Sequence, residues 1–92
     1  MKLQINYSKN ANKFILKNQN ILDYPKVRQL INSAINKIYN IESATINLKP
    51  LKGNYKGYWR IRCGDIRIIF TVKNDEIFIV FIQDIGFRCG IY

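Results

Sequence analysis

Three runs of β-branched and aromatic residues follow one another with only two residues between each pair. They are YWRIRC at 58–63, IRIIFTVK at 66–73 and EIFIVFIQ at 76–83, separated by Gly64-Asp65 and Asn74-Asp75. Such runs make strands, and two-residue loops of this composition make tight hairpins with a fixed register. The first loop predicts Cys63 opposite Ile66, Arg62 opposite Arg67, Ile61 opposite Ile68 and Trp59 opposite Phe70. Alternation agrees with that register. Trp59, Ile61, Cys63, Ile66, Ile68, Phe70 and Val72 share an apolar face, while Tyr58, Arg60, Arg62 and Arg67 share the other. The second loop predicts a favourable pair of Lys73 with Glu76. The third run is apolar on both faces, which predicts a central place in the sheet.

The first half of the chain reads differently. Leu3, Ile5 and Tyr7 alternate with Lys2, Gln4 and Asn6, the pattern of a half-buried strand. Ser8 can cap a short helix with Ala11, Phe14 and Ile15 on one face. Pro25 suits the first turn of a second helix of about four turns, with Val27, Leu30, Ile31, Ala34, Ile35, Ile38 and Ile41 on its apolar side. Glu42 to Gly57 reads as a connection, rich in Lys, Pro and Gly. The expected fold is α+β in the order β-α-α-β-β-β, with two N-terminal helices packed on one face of a mainly antiparallel sheet. Ninety-two residues make one domain, 1–92, large enough to bury roughly 60–65% of the unfolded surface in a single core.

The helices then cover the apolar face, and the arginines lie on the face left open. Fifteen basic residues against six acidic ones give a net charge of +9, which favours a polyanionic partner. The chain is also rich in Ile, Asn and Lys, all encoded by AT-rich codons, so arginine placement says more than lysine count. Four of the five arginines fall in the last third of the chain. No apolar run approaches the ~20 residues of a membrane span, and the start lacks a signal-peptide core. The expected place is the cytoplasm, with Cys63 and Cys89 as incidental reduced thiols. No histidine is present and the cysteines are not clustered, so no metal and no cofactor is expected.

Arg62 opposite Arg67 is the sharpest local clue. Like charges directly across a strand pair destabilise a sheet, unless an anion sits between them. Arg60 joins them two residues away, and guanidinium forks match phosphate oxygens. The bland alternative is a solvated basic face with no task. Lys49, Lys52 and Lys56 form a basic loop that either is simply solvated or extends a phosphate track. Tyr58 could stack on a base, whereas Trp59 faces the core. Arg88 and Tyr92 follow the last strand and could fold over the arginine face, although Tyr92 alone also suits a packed terminal aromatic. Asp65 and Asp84 make no paired-carboxylate site, so proton transfer would fall to Tyr, Lys or Arg.

With YPKVRQLINSAINKI in the second helix, LKPLKGNYKGYWRIRCGDIRIIFTV after it and IGFRCGIY at the end, the sequence resembles the RelE/ParE toxin superfamily. Within it the likeness is to RelE-type messenger-RNA interferases, over nearly the whole chain. The resemblance implies a toxin of a type II toxin–antitoxin system that cuts mRNA in the ribosomal A site. In that chemistry the ribose 2′-hydroxyl attacks the adjacent phosphate and the 5′-oxygen leaves. By position, Arg67 would hold the phosphate and Arg88 would contact the phosphate or the leaving oxygen. Tyr92 would stack on or activate the nucleotide. Arg60 and Arg62 would bind or activate substrate, and Lys52 lies in the matching basic loop. Phe87 stands where many relatives carry histidine, which removes a possible acid or base. The implied partners are mRNA, the ribosome and an antitoxin with an acidic or amphipathic segment, with no membrane. Two other functions share the fold: a ParE-type DNA gyrase poison, and a non-catalytic nucleic-acid-binding module or decayed toxin.

Overall fold

A computed structural model describes residues 2–87. The elements are β1 (Leu3–Tyr7), α1 (Lys9–Lys17), α2 (Tyr24–Ile38), β2 (Asn47–Pro50), β3 (Trp59–Cys63), β4 (Ile66–Asn74) and β5 (Phe78–Phe87). The five strands form one sheet in the order β1-β5-β4-β3-β2. β1 runs parallel to β5 and every other pair is antiparallel. The expected α+β architecture is present, with one strand more than the sequence suggests.

The hairpin of β3 and β4 has the expected register at every position: Cys63 faces Ile66, Arg62 faces Arg67, Ile61 faces Ile68 and Trp59 faces Phe70. Gly64 turns the chain at φ 59°, a conformation that costs glycine little and a side-chain-bearing residue more. The second hairpin differs. Asn74 pairs with Phe78 and Lys73 with Ile79, so Lys73 does not face Glu76. The loop is three residues long and is closed by Asp75 N–H donating to the Ile77 carbonyl at 3.0 Å. Ile77 looked like strand because it is β-branched, but the turn takes it. β5 is interior, between β1 and β4, and β4 is the middle strand.

The run read as a connection contains β2. Ile46, Leu48 and Pro50 alternate with Asn47 and Lys49, and Ile46 and Leu48 pack on the core. Four residues are a weak period-two signal, and a proline is tolerated because β2 is an edge. Lys52 to Gly57 then carries the chain back through one 3-10 turn, Gly53–Tyr55, into β3.

Ser8 caps α1 by accepting a hydrogen bond from Ala11 N–H at 3.0 Å, and its hydroxyl donates to the Gln83 carbonyl at 2.7 Å. One side chain thus starts the helix and ties it to β5. Asp23 caps α2 through Lys26 N–H at 2.9 Å, with Pro25 in the first turn. α2 ends at Ile38, so Ile41 lies beyond the helix and is about half exposed. The core lies between the helices and one sheet face. Ala11, Ile15, Val27, Ile31, Ala34 and Ile35 meet Ile61, Ile68, Phe70, Val80 and Ile82, all fully buried. On the same side, Tyr7 packs edge-on against Tyr24 at 5.2 Å. Burial pushes the Tyr7 hydroxyl above its ordinary 10.0; Tyr24 adds to that and Arg28 opposes it.

Candidate functional site

The site begins with alternation. In β3 and β4, Ile61, Ile68 and Phe70 point to the helices, so Arg60, Arg62 and Arg67 point the other way. Among the described residues, no helix covers that side. Instead β2 and the residues after it fold along its edge, with Asn47 opposite Arg62 and Lys49 opposite Arg60. Lys49, Pro50, Leu51, Lys52, Arg60, Arg62 and Arg67 enclose a cleft of about 360 Å³.

Among the described residues, five cations therefore line one cleft and no carboxylate does. Arg60 and Arg67 are each only 7% exposed. The face was expected to be open, but these two guanidinium groups are largely withdrawn from water. Arg60 Nη2 donates to Asn47 Oδ1 at 3.1 Å, which fixes one edge of its fork. The Arg62 Nε is buried and makes no hydrogen bond among the described residues. Concentrating positive charge in a partly dry cleft is expensive by itself, and it strengthens attraction for an anion that enters. Ile69, 2% exposed, pairs with Arg60 on the same sheet face.

The expected site residues separate into groups. Lys49, Lys52, Arg60, Arg62 and Arg67 come together. Lys56 and Tyr58 stand outside the cleft; the Tyr58 ring packs edge-on against Tyr55 at 6.1 Å. Arg88 and Tyr92 lie outside the described residues. Phe87 packs against Phe14 of α1 at 5.1 Å and faces the helix layer with Ile66, rather than the cleft. Sequence reasoning missed Asn47, Pro50 and Leu51. Only the short alternation at 46–50 could have placed them beside the arginines.

The facing arginines give a direct test. Arg62→Thr removes like-charge contact across the strand pair and a buried Nε, and leaves a good strand former. Thermal unfolding should be unchanged or show a gain of roughly 0.2–1 kcal/mol, while RNA affinity falls. A clear loss of thermal stability would mean that Arg62 serves the fold.

No family model matches the sequence, and none of the curated proteins matches it. Solved structures do match. The toxin–antitoxin complex DinJ–YafQ of E. coli contains a chain of TM-score 0.67 and 20% identity, covering 100% of this chain and 99% of that one. A YoeB/ParE toxin from Agrobacterium tumefaciens has TM-score 0.62 and 21% identity, covering 95% and 98%. The RelBE2 toxin–antitoxin complex of Mycobacterium tuberculosis gives 0.57 and 17%, covering 96% and 100%. The likeness is one of fold, over essentially the whole of each chain. The protein has the fold of the RelE/ParE toxins.

Proposed function

We propose that this protein is the toxin of a type II toxin–antitoxin pair, a cytoplasmic endoribonuclease that cuts mRNA in the ribosomal A site. One observation carries the reading: a cleft that, among the described residues, is lined by five cations and no carboxylate, on the sheet face that the helices leave bare. The RelE/ParE fold around it and the motifs of the sequence point the same way.

The chemistry asked of the cleft is modest. The ribose 2′-hydroxyl loses its proton and attacks the adjacent phosphorus, the bond to the 5′-oxygen breaks, and that oxygen gains a proton. Negative charge grows on the phosphate oxygens as the new bond forms. Arg67 and Arg60, held on rigid strands, stabilise that charge, and Arg62 helps to seat the phosphate. Lys49 and Lys52 at the rim bind the backbone. With no histidine in the chain, lysine or tyrosine handles the protons. Roles for Arg88 on the phosphate or leaving oxygen and for Tyr92 on the nucleotide rest on the sequence resemblance alone. A strongly basic toxin suits an acidic or amphipathic antitoxin segment, and the DinJ–YafQ and RelBE2 structures are toxin–antitoxin complexes.

Adding the purified protein to translating ribosomes tests the reading. Cuts at codon-linked positions in the message are expected, and co-expressing the neighbouring small reading frame should suppress them. Inhibited DNA supercoiling with an intact message would instead make the protein a gyrase poison. Binding without either effect would make it a non-catalytic module.

A further inference from the structure

The bare sheet face does not end at the arginines. Along β4, Arg67, Ile69, Thr71 and Lys73 point to this side, and across from them on β5 lie Phe81, paired with Thr71, and Ile79, paired with Lys73. Val80 and Ile82 of β5 are fully buried in the core, so alternation turns Phe81 outward, and the ring is 39% exposed. The ring is not one of the side chains packed on the core. Its strand neighbours on this face are Thr71 and, on β1, Asn6, both too small to cover it. Gln4 sits one step along β1, opposite Ile79, and its Nε2 donates to Asn6 Oδ1 at 3.3 Å.

We infer that Phe81 is a stacking platform for an RNA base, with the Asn6 and Gln4 amides at the edge of that base. The inference rests on the ribonuclease reading and deepens it, by giving the cleft a neighbouring base subsite. The geometry suits one strand of nucleic acid. Arg60 and Phe81 are two strand spacings apart and one step of alternation along the sheet, which puts their Cα atoms about 12 Å from each other. A phosphate in the arginine cleft therefore leaves a nearby nucleotide over the ring. Cations stand on two sides of the ring, the arginine cluster on one and the exposed Lys73 on the other, while the Asp84 carboxylate, opposite Ile69, is held by the Ile85 N–H at 3.0 Å. Base–aromatic stacking tolerates any sequence, whereas side-chain amides read base edges. The platform fixes the direction of the strand, and the amides give it a preference.

Phe81 lies outside the core, so its replacement spares the fold. The experiment uses short 2′-O-methyl RNA, which cannot be cut by 2′-hydroxyl attack, with 2-aminopurine placed at each position in turn. Fluorescence quenching on binding should be strongest at one position. Phe81→Ala should abolish that quenching and weaken binding by about 5- to 100-fold. Phe81→Trp should keep both. Arg62→Thr should weaken binding and flatten its salt dependence, yet retain quenching at saturation. If Phe81→Ala binds and quenches like the wild type while Arg62→Thr binds weakly, the platform is wrong and the RNA reading stands. If the wild type binds no RNA, neither free nor on programmed ribosomes, both fall. A concentration-dependent dimer in sedimentation that Phe81→Ala dissolves, with quenching unaffected, would assign this face to a second copy of the chain and overturn the platform.

Discussion

Arg67→Ala should slow single-turnover cleavage of message on saturating programmed ribosomes by about 100-fold or more, the scale of losing one preorganised donor to a developing oxyanion. Two features of Arg67 argue for so large an effect. It is 7% exposed, so its charge acts through little water, and it sits mid-sheet in β4 where its position costs nothing to reorganise. A group that acts on transition-state charge lowers the rate more than it lowers binding, so affinity for the ribosome should fall much less than the rate. The fold should survive, because removing one of two facing arginines relieves repulsion across the Arg62–Arg67 pair. Circular dichroism confirms folding before the kinetic comparison. A folded Arg67→Ala protein that cuts at the wild-type rate would falsify the proposed site.

Phe70→Ala should cost about 3–5 kcal/mol of stability. Phe70 is fully buried in the middle strand, between Trp59 of β3 and Ile82 of β5, beneath the helix layer. Its removal leaves a cavity at a site gripped from three sides, where collapse is poor. A domain of this size has about 5–15 kcal/mol in all, so the variant should approach the edge of folding at room temperature. Phe70→Leu, which keeps most of the volume, should cost far less. Urea denaturation followed by circular dichroism measures both. A Phe70→Ala loss below about 1 kcal/mol would mean that the helices do not close over β4 as described.

Much of this was legible in the sequence, for reasons that differ by element. The β3–β4 hairpin could be read residue by residue because Gly64-Asp65 fixes the turn and each strand has one apolar face. The Ser8 cap, the first turn of α2 at Pro25 and the apolar faces of both helices were readable, whereas the Asp23 cap and the end of α2 before Ile41 were not. β2 was hidden because its pairing with β3, rather than its own four residues, makes it a strand. The second turn misled because Lys73 and Glu76 offered an attractive charge pair, while backbone bonding from Asp75 to Ile77 decided the loop. The faces of Arg60, Arg62 and Arg67 followed from alternation, but their burial did not. It depends on Pro50, Leu51 and Lys52 folding back along the sheet, a tertiary event with no local signature. Phe81 was visible only as one more apolar residue of a two-sided strand, and its exposure emerges once the helices are known to cover a single face.

The parallel pairing of β1 with β5 has a consequence for how the chain is made. Ser8 bonds to Gln83, 75 residues later, and Leu3 to Tyr7 pair with Phe78 to Ile82, their only strand partners among the described residues. At synthesis rates of about 5–20 residues per second, the first strand waits roughly 4–15 seconds for the last. During that wait the segments of α1 and α2 have no finished sheet to cover, and Ile15, Val27, Ile31 and Ile35 lack their β5 partners. The residues of the arginine cleft are synthesised earlier, with β2, β3 and β4, but the sheet is complete only when β5 arrives. A basic surface is thus born on a half-built scaffold. Anything that binds the nascent helices in that interval acts on the protein before it is folded.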